Sequence, residues 1–180
     1  MGETAAIGSQ ALVVSFEDVG RRDVGSVGGK NASLGEMISS LGSKKISVPA
    51  GFTTTAAAYR DFIRANRLEE KIRCRLRDLE AGKASLGDTG AAIRAMILEG
   101  EWPKETAKAI EAAYDELCSR SGKKELDVAV RSSATAEDLP DASFAGQQET
   151  FLNIRGQKAL MDACRRCYAS LFTDRAISYR

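Results

Sequence analysis

Arg131 is the single cation in VAVRSSATAEDLPDASFAGQQETFLNI, residues 128–154. A guanidinium is a planar, permanently charged fork of donors that suits bidentate recognition of phosphate. Here it follows a strand-like apolar run, and the carboxyl ends of strands in α/β sheets are where ligands bind. The loop beyond it is rich in Ser, Ala, Thr and Gly, which permit close backbone approach. Gly146 can offer its amide to a phosphate and Thr150 a hydroxyl. Glu137, Asp138 and Asp141 suit an anion site only if they face solvent or carry Mg²⁺. The plain alternative is a long surface loop in which Arg131 pairs with one of those carboxylates. The residues alone leave both readings open.

A second stretch, VGGKNASLGEM (27–37), places two glycines and Lys30 at the start of a helical pattern. Backbone N–H groups and the helix dipole favour an anion at such a start, and Lys30 adds a mobile full charge. The G-x-x-x-x-G-K-[ST] spacing of a Walker loop is absent. An ordinary Gly-rich turn with an exposed lysine accounts for the stretch equally well.

The 180 residues contain no histidine. No Ser-His-Asp triad, Cys-His pair or phosphohistidine can therefore form from this sequence. Cys164 and Cys167 form a C-x-x-C with no second pair of ligands, inside a helical pattern, so a zinc site is not expected; Cys74 and Cys118 stand alone. All four read as reduced thiols of a cytoplasmic protein. With 26 basic against 25 acidic residues, the net charge of +1 points to neither a nucleic-acid nor a membrane partner. No apolar run is long enough to span a bilayer, and MGETAAIGSQ lacks the basic and apolar regions of a signal peptide.

The elements that must position these residues follow from periodicity. ALVVSFEDV (11–19) reads as a first strand. Leu34, Met37, Ile38 and Leu41 form a helical stripe closed by Gly42. ISVPAGF is extended, because Pro49 disfavours helix at Val48. Thr53 or Thr54 is expected to cap a helix bearing Tyr59, Phe62 and Ile63. Leu68, Ile72, Leu76 and Leu79 mark the next helix, whose opposite face carries Arg73, Arg75 and Arg77. A glycine-containing break is expected over 82–90, then a helix through Ile93, Met96 and Ile97 that stops near Gly100. Pro103 suits the first position of a helix through Ile110, Ala113, Tyr114 and Leu117, which Ser121-Gly122 ends. LDVAV and ETFLNI read as strands. Leu160, Cys164, Cys167 and Leu171 share a helix, and TDRAISYR begins another. The chain stops inside that pattern and reads as a piece of a larger enzyme.

VGGKNASLGEMI, VPAGFTTTAAAYRDF, VRSSATAEDLPDASFAGQQETFLNI and ASLFTDRAISYR, in this order, resemble the N-terminal part of the phosphoenolpyruvate synthases (pyruvate, water dikinases). Pyruvate phosphate dikinases and rifamycin phosphotransferases carry the same domain type, and the long loop after Arg131 is similar to that of the synthases and the rifamycin enzymes. The resemblance implies an α+β (α/β) fold: residues 1–180 as the helix-rich first lobe, with a small sheet, of an ATP-grasp-type nucleotide-binding domain. It implies ATP and Mg²⁺ as cofactors, and Lys30, Arg131, Gly146 and Thr150 as nucleotide-binding residues, the last two in a loop lying over the phosphates. The other partners it implies are domains of the same polypeptide. They are a second ATP lobe supplying the Mg²⁺ ligands, a swivelling domain carrying the phosphohistidine, and a pyruvate-binding barrel. The implied reaction converts ATP, pyruvate and water to AMP, phosphoenolpyruvate and phosphate, and this chain is not expected to perform it alone. A rifamycin phosphotransferase lobe and a non-catalytic nucleotide-binding module are the alternatives. The loop from Ser132 to Gln148 buries little apolar area and is expected to close over nucleotide.

Overall fold

The computed structural model describes residues 7–8, 10–41, 48–133, 138–139, 142–143 and 149–178, with 138–139 and 142–143 as backbone only. In chain order the elements are β1 (Val13–Ser15), α1 (Val24–Val27), α2 (Gly29–Leu41), β2 (Phe52–Thr54), α3 (Ala56–Ala65), α4 (Leu68–Glu80), α5 (Leu86–Leu98), α6 (Lys104–Ser121), β3 (Val128–Arg131), β4 (Asp138–Leu139), β5 (Ala142–Ser143), β6 (Thr150–Ile154), α7 (Gln157–Ser170) and α8 (Asp174–Ser178). Helices dominate, and the described strands pair antiparallel as β1–β2, β3–β6 and β4–β5. This is the helix-rich α+β class the sequence leads one to expect.

The chain divides into two compact units. The first comprises Met1–Tyr59, Glu105–Leu126 and Ser133–Ser143. In it β1 pairs with β2 (Val13↔Thr54, Val14↔Thr53, Ser15↔Phe52), and Val19, Val27 and Ala32 form a buried cluster flanked by Val14 and Val24. The first strand is shorter than the apolar run suggested, because Phe16–Asp18 turns into a 3-10 helix capped by Ser15. On α2 the buried residues are Gly29, Ala32 and Gly35, while Met37, from the expected apolar stripe, is 41% exposed. The helix lies against backbone: a Cβ on Gly35 would stand 2.0 Å from the carbonyl oxygen of Val19. Small residues admit that approach where leucines cannot. The cap of α3 is Thr55 rather than Thr53 or Thr54, which pair within β2. The Ala58 N–H donates to Thr55 Oγ1 at 3.2 Å, and that hydroxyl donates to the Ala11 carbonyl at 2.6 Å. The α6 helix ends as expected, with Gly122 at φ 68° and its N–H bonded to the Ser119 carbonyl. Gly42, the expected stop of α2, lies outside the described residues.

The second unit comprises Arg60–Lys104, Asp127–Ser132 and Phe144–Arg180. Helices α4, α5, α7 and α8 and the β3–β6 ribbon belong to it. Phe62, Trp102 and Tyr168 form an aromatic cluster with ring centroids 5.0, 5.6 and 5.5 Å apart, and Phe62 is fully buried. Such tilted and edge-on pairs favour the rings' quadrupoles as well as burying area. The α5 helix begins inside the expected break, because Ser85 caps it by accepting the Asp88 N–H at 3.1 Å. The arginine face of α4 is compensated along its own helix: Arg73 bonds Glu69 and Glu70, and Arg77 bonds Glu70 at 2.6 Å. It is a solvated face with intrahelical ion pairs.

Candidate phosphate-binding segments

Each candidate residue sits in its own unit and is described there. In the first unit α1 ends at Gly28, whose φ of 81° is a left-handed conformation that a side chain would strain. The reversal lets α2 begin at once, so Lys30 stands exposed in its first turn. Anions are favoured at this end of a helix of this length. Asn31, next in the chain, is heavily bonded. Its side-chain NH₂ donates to the Val27 carbonyl at 2.8 Å and to Thr53 Oγ1 at 2.7 Å, and its backbone N–H faces Ser133 Oγ at 3.4 Å. Ser133 also fills the place where a side chain on Gly28 would be: an added Cβ would lie 2.3 Å from Ser133 Oγ and 2.7 Å from its carbonyl carbon and oxygen.

In the second unit Arg131 is the last residue of β3 and Thr150 the first of β6, and the two are cross-strand partners. Both are exposed. Cross-strand partners point to the same face of a ribbon, so a guanidinium and a hydroxyl stand side by side. The register shifts between Val128 and Val130, which closes on Phe151, and that irregularity sets which residue meets Arg131. The strand belongs to a two-stranded antiparallel ribbon, so the strand-end position expected from the sequence is the end of a ribbon. Arg131 has no ion pair with any described carboxylate. Ser132 turns inward, buried, and its hydroxyl has no hydrogen-bond partner among the described residues.

On the other face of the ribbon Arg166 stacks over the Phe151 ring, 4.0 Å from its centroid. A cleft of about 510 Å³ in the same unit is lined by Arg94, Arg166, Arg175, Glu149, Ser170 and Asp174, among others. Arg94 is already engaged there, donating to the Phe172 carbonyl at 2.7 Å and to Asp174 at 3.2 Å. Cys167 is buried, and its thiol is pushed up to about 12 by burial first and then by the Glu149 carboxylate, with Arg166 opposing. Cys164 is pushed up to about 12 by burial and by the proximity of Cys167. Burial thus favours the protonated form of both thiols.

Lys30, Arg131 and Thr150 thus occupy exposed, phosphate-compatible positions, Lys30 in one unit and the other two together on one ribbon. Gly146, and with it most of the loop from Ser132 to Gln148, lies outside the described residues. The sequence reading gave Asn31 no part, read Thr53 only as a helix cap and took Ser133 only as a loop residue. The one signal was Asn directly after the lysine, a residue that competes for backbone groups rather than filling a helix interior. Among the described residues no group of three or more His, Cys, Asp or Glu side chains converges to hold a metal ion, and no helix is long and apolar enough to cross a membrane.

The chain is 54% identical over 175 residues to the phosphoenolpyruvate synthase of Synechocystis, covering 94% of this chain and 21% of that protein. It is 54% identical over 169 residues to that of Pseudomonas aeruginosa, covering 93% of this chain and 21% of the relative. It is 47% identical over 174 residues to that of Escherichia coli, covering 96% and 22%. The chain therefore spans about a fifth of the length of these curated relatives. Residues 24–180, which include both glycine-rich turn and arginine strand, match the pyruvate phosphate dikinase AMP/ATP-binding domain, and the chain belongs to that family.

Proposed function

We propose that residues 1–180 are the N-terminal lobe of the ATP-grasp-type nucleotide-binding part of a phosphoenolpyruvate synthase. The whole protein would convert ATP, pyruvate and water to AMP, phosphoenolpyruvate and phosphate in the cytoplasm. The observation that supports this best is Arg131: exposed, fixed at a strand end beside the Thr150 hydroxyl, and without an ion pair among the described residues, in a chain of an AMP/ATP-binding family. A guanidinium fixed at a strand end beside a hydroxyl suits an arriving phosphate.

In the proposed first half-reaction, a histidine nitrogen attacks the β-phosphorus of ATP, the bond to the α,β-bridging oxygen breaks, and AMP leaves. The histidine comes from another domain, since this chain has none. Lys30 and Arg131 would neutralise the triphosphate, and Thr150 would fix one of its oxygens, so the reacting phosphorus is held in line for attack. Mg²⁺ accompanies nucleotide in such reactions. The described side chains do not fit a protein-held site for it, and no step here is assigned to it.

The whole protein, supplied with ATP, Mg²⁺ and pyruvate, should release AMP, phosphoenolpyruvate and phosphate. Lys30→Ala and Arg131→Ala should each slow ATP-dependent phosphorylation by about 2–3 kcal/mol, roughly 30- to 150-fold. A variant that folds and phosphorylates at the parental rate removes its residue from the site.

A further inference from the structure

We propose that Asn31 is a positioning residue for Lys30, acting with Ser133, and that together they preset the glycine turn to receive a polyphosphate. The inference rests on the phosphate role proposed for Lys30 and identifies what holds that role in place.

The turn is anchored from three directions. Behind it, the Asn31 carboxamide bonds the Val27 carbonyl at 2.8 Å, in the last turn of α1. To one side, the same NH₂ bonds Thr53 Oγ1 at 2.7 Å, on β2. That hydroxyl is itself oriented, because it donates to the Thr54 carbonyl at 2.8 Å and so presents a lone pair to Asn31. From a third side comes Ser133, two residues after Arg131 in the chain. It meets the Asn31 N–H with its Oγ at 3.4 Å and lies against the bare Cα of Gly28. Both donors of the carboxamide are used, so the side chain has one orientation.

Gly28 and Asn31 therefore bracket Gly29 and Lys30 with contacts to α1, β2 and Ser133. The first-turn N–H groups and the Lys30 Cα are fixed before any ligand arrives. Binding a phosphate then need not order the backbone beneath the lysine, and that saving in entropy is what preorganisation contributes to affinity. Asn is required for its two donors: Asp would bring a carboxylate against the Val27 carbonyl and beside the arriving anion, and Ala leaves both acceptors unpaired.

The test is a double-mutant cycle in the whole protein, reading binding of ATP and, by competition, of adenosine. Lys30→Ala is made first, to establish that the lysine serves phosphate. If ATP binding is then unchanged, the role of Lys30 fails and the positioning role falls with it. If Lys30→Ala weakens ATP binding, Asn31→Ala should weaken it about tenfold while adenosine binding stays at the parental value. In the Lys30→Ala background, Asn31→Ala should add less than about twofold, because its effect runs through the lysine. Parallel loss of ATP and adenosine binding, or full additivity of the two substitutions, overturns the proposal and leaves Asn31 a purely structural residue. So does an Asn31→Ala variant that binds ATP normally while Lys30→Ala does not. Should Asn31→Ala fail to fold, Ser133→Ala carries the same cycle with the same outcomes, since it keeps the backbone packing against Gly28 and removes only the hydroxyl.

Discussion

Arg131 and Thr150 stand opposite each other across the β3–β6 ribbon, one closing its strand and the other opening its own. Nineteen positions of chain separate them, yet the register brings a fixed charge and a hydroxyl to one exposed face. Thr150→Val keeps the β-branched shape that the strand favours and deletes only the hydroxyl. In the whole protein it should cost roughly fivefold in ATP affinity, about 1 kcal/mol, with no loss of folding. If the two side chains hold one phosphate, Arg131→Ala and Thr150→Val together should lose less than the product of their separate effects. Simple additivity in ATP titrations would separate their roles.

Gly28→Ala should be among the most damaging single-methyl additions in this chain. The methyl would meet the backbone of Ser133 at 2.7 Å, where no side-chain rotation relieves it, and the φ of 81° strains any L-residue. A loss of at least about 1–2 kcal/mol is expected from backbone strain alone. Urea melts check it: an unchanged midpoint means the turn can move away from Ser133.

The thiols should divide sharply in reactivity. Cys74 is exposed, whereas Cys118 and Cys167 are buried. At neutral pH a thiol-alkylating reagent should label Cys74 and spare Cys164 and Cys167, whose thiols, raised from 9.0 to about 12, lose roughly a thousandfold in thiolate population. Peptide mapping after timed labelling reads this directly. Equal labelling of Cys167 and Cys74 would mean that α7 opens.

The same shifts set a pH dependence. The folded state holds these protons more tightly than the unfolded chain, so their contribution is complete below about 9 and is lost as pH rises from there towards about 12. Cys164→Ala/Cys167→Ala should flatten the decline in stability across that alkaline window. Chemical melts at pH 8 and pH 10, as set points roughly bracketing its lower edge, decide it; parallel slopes in parent and variant assign the decline to other groups.

This chain alone, given ATP, Mg²⁺ and pyruvate, should form neither AMP nor phosphoenolpyruvate. It has no histidine to accept a phosphoryl group and spans about a fifth of its relatives' length. Turnover above a blank would place the acceptor within these residues and remove the division of labour proposed above.

Local pattern determined much of this protein. Apolar residues at helical spacing gave α4, α6 and α7 their positions, since a helix is specified by neighbours three and four residues away. Ser121-Gly122 marked the end of α6 because a left-handed residue is a local requirement. Arg131 at the end of a strand and Lys30 at the start of a helix were legible for the same reason, and so were their phosphate-compatible types.

Tertiary structure decided what lies beside those residues. The bulged register that sets Thr150, rather than a neighbour, against Arg131 depends on pairing between distant strands. The capping of α3 by Thr55 depends on Ala11, 44 positions earlier, whose carbonyl accepts the hydroxyl's hydrogen bond. The small-residue face of α2 answers to the carbonyl of Val19, and the packing of the glycine turn to Ser133, 102 positions beyond Asn31. Hydrogen bonds and close packing act over a few ångströms, so their partners are fixed only once the chain has brought distant segments within reach.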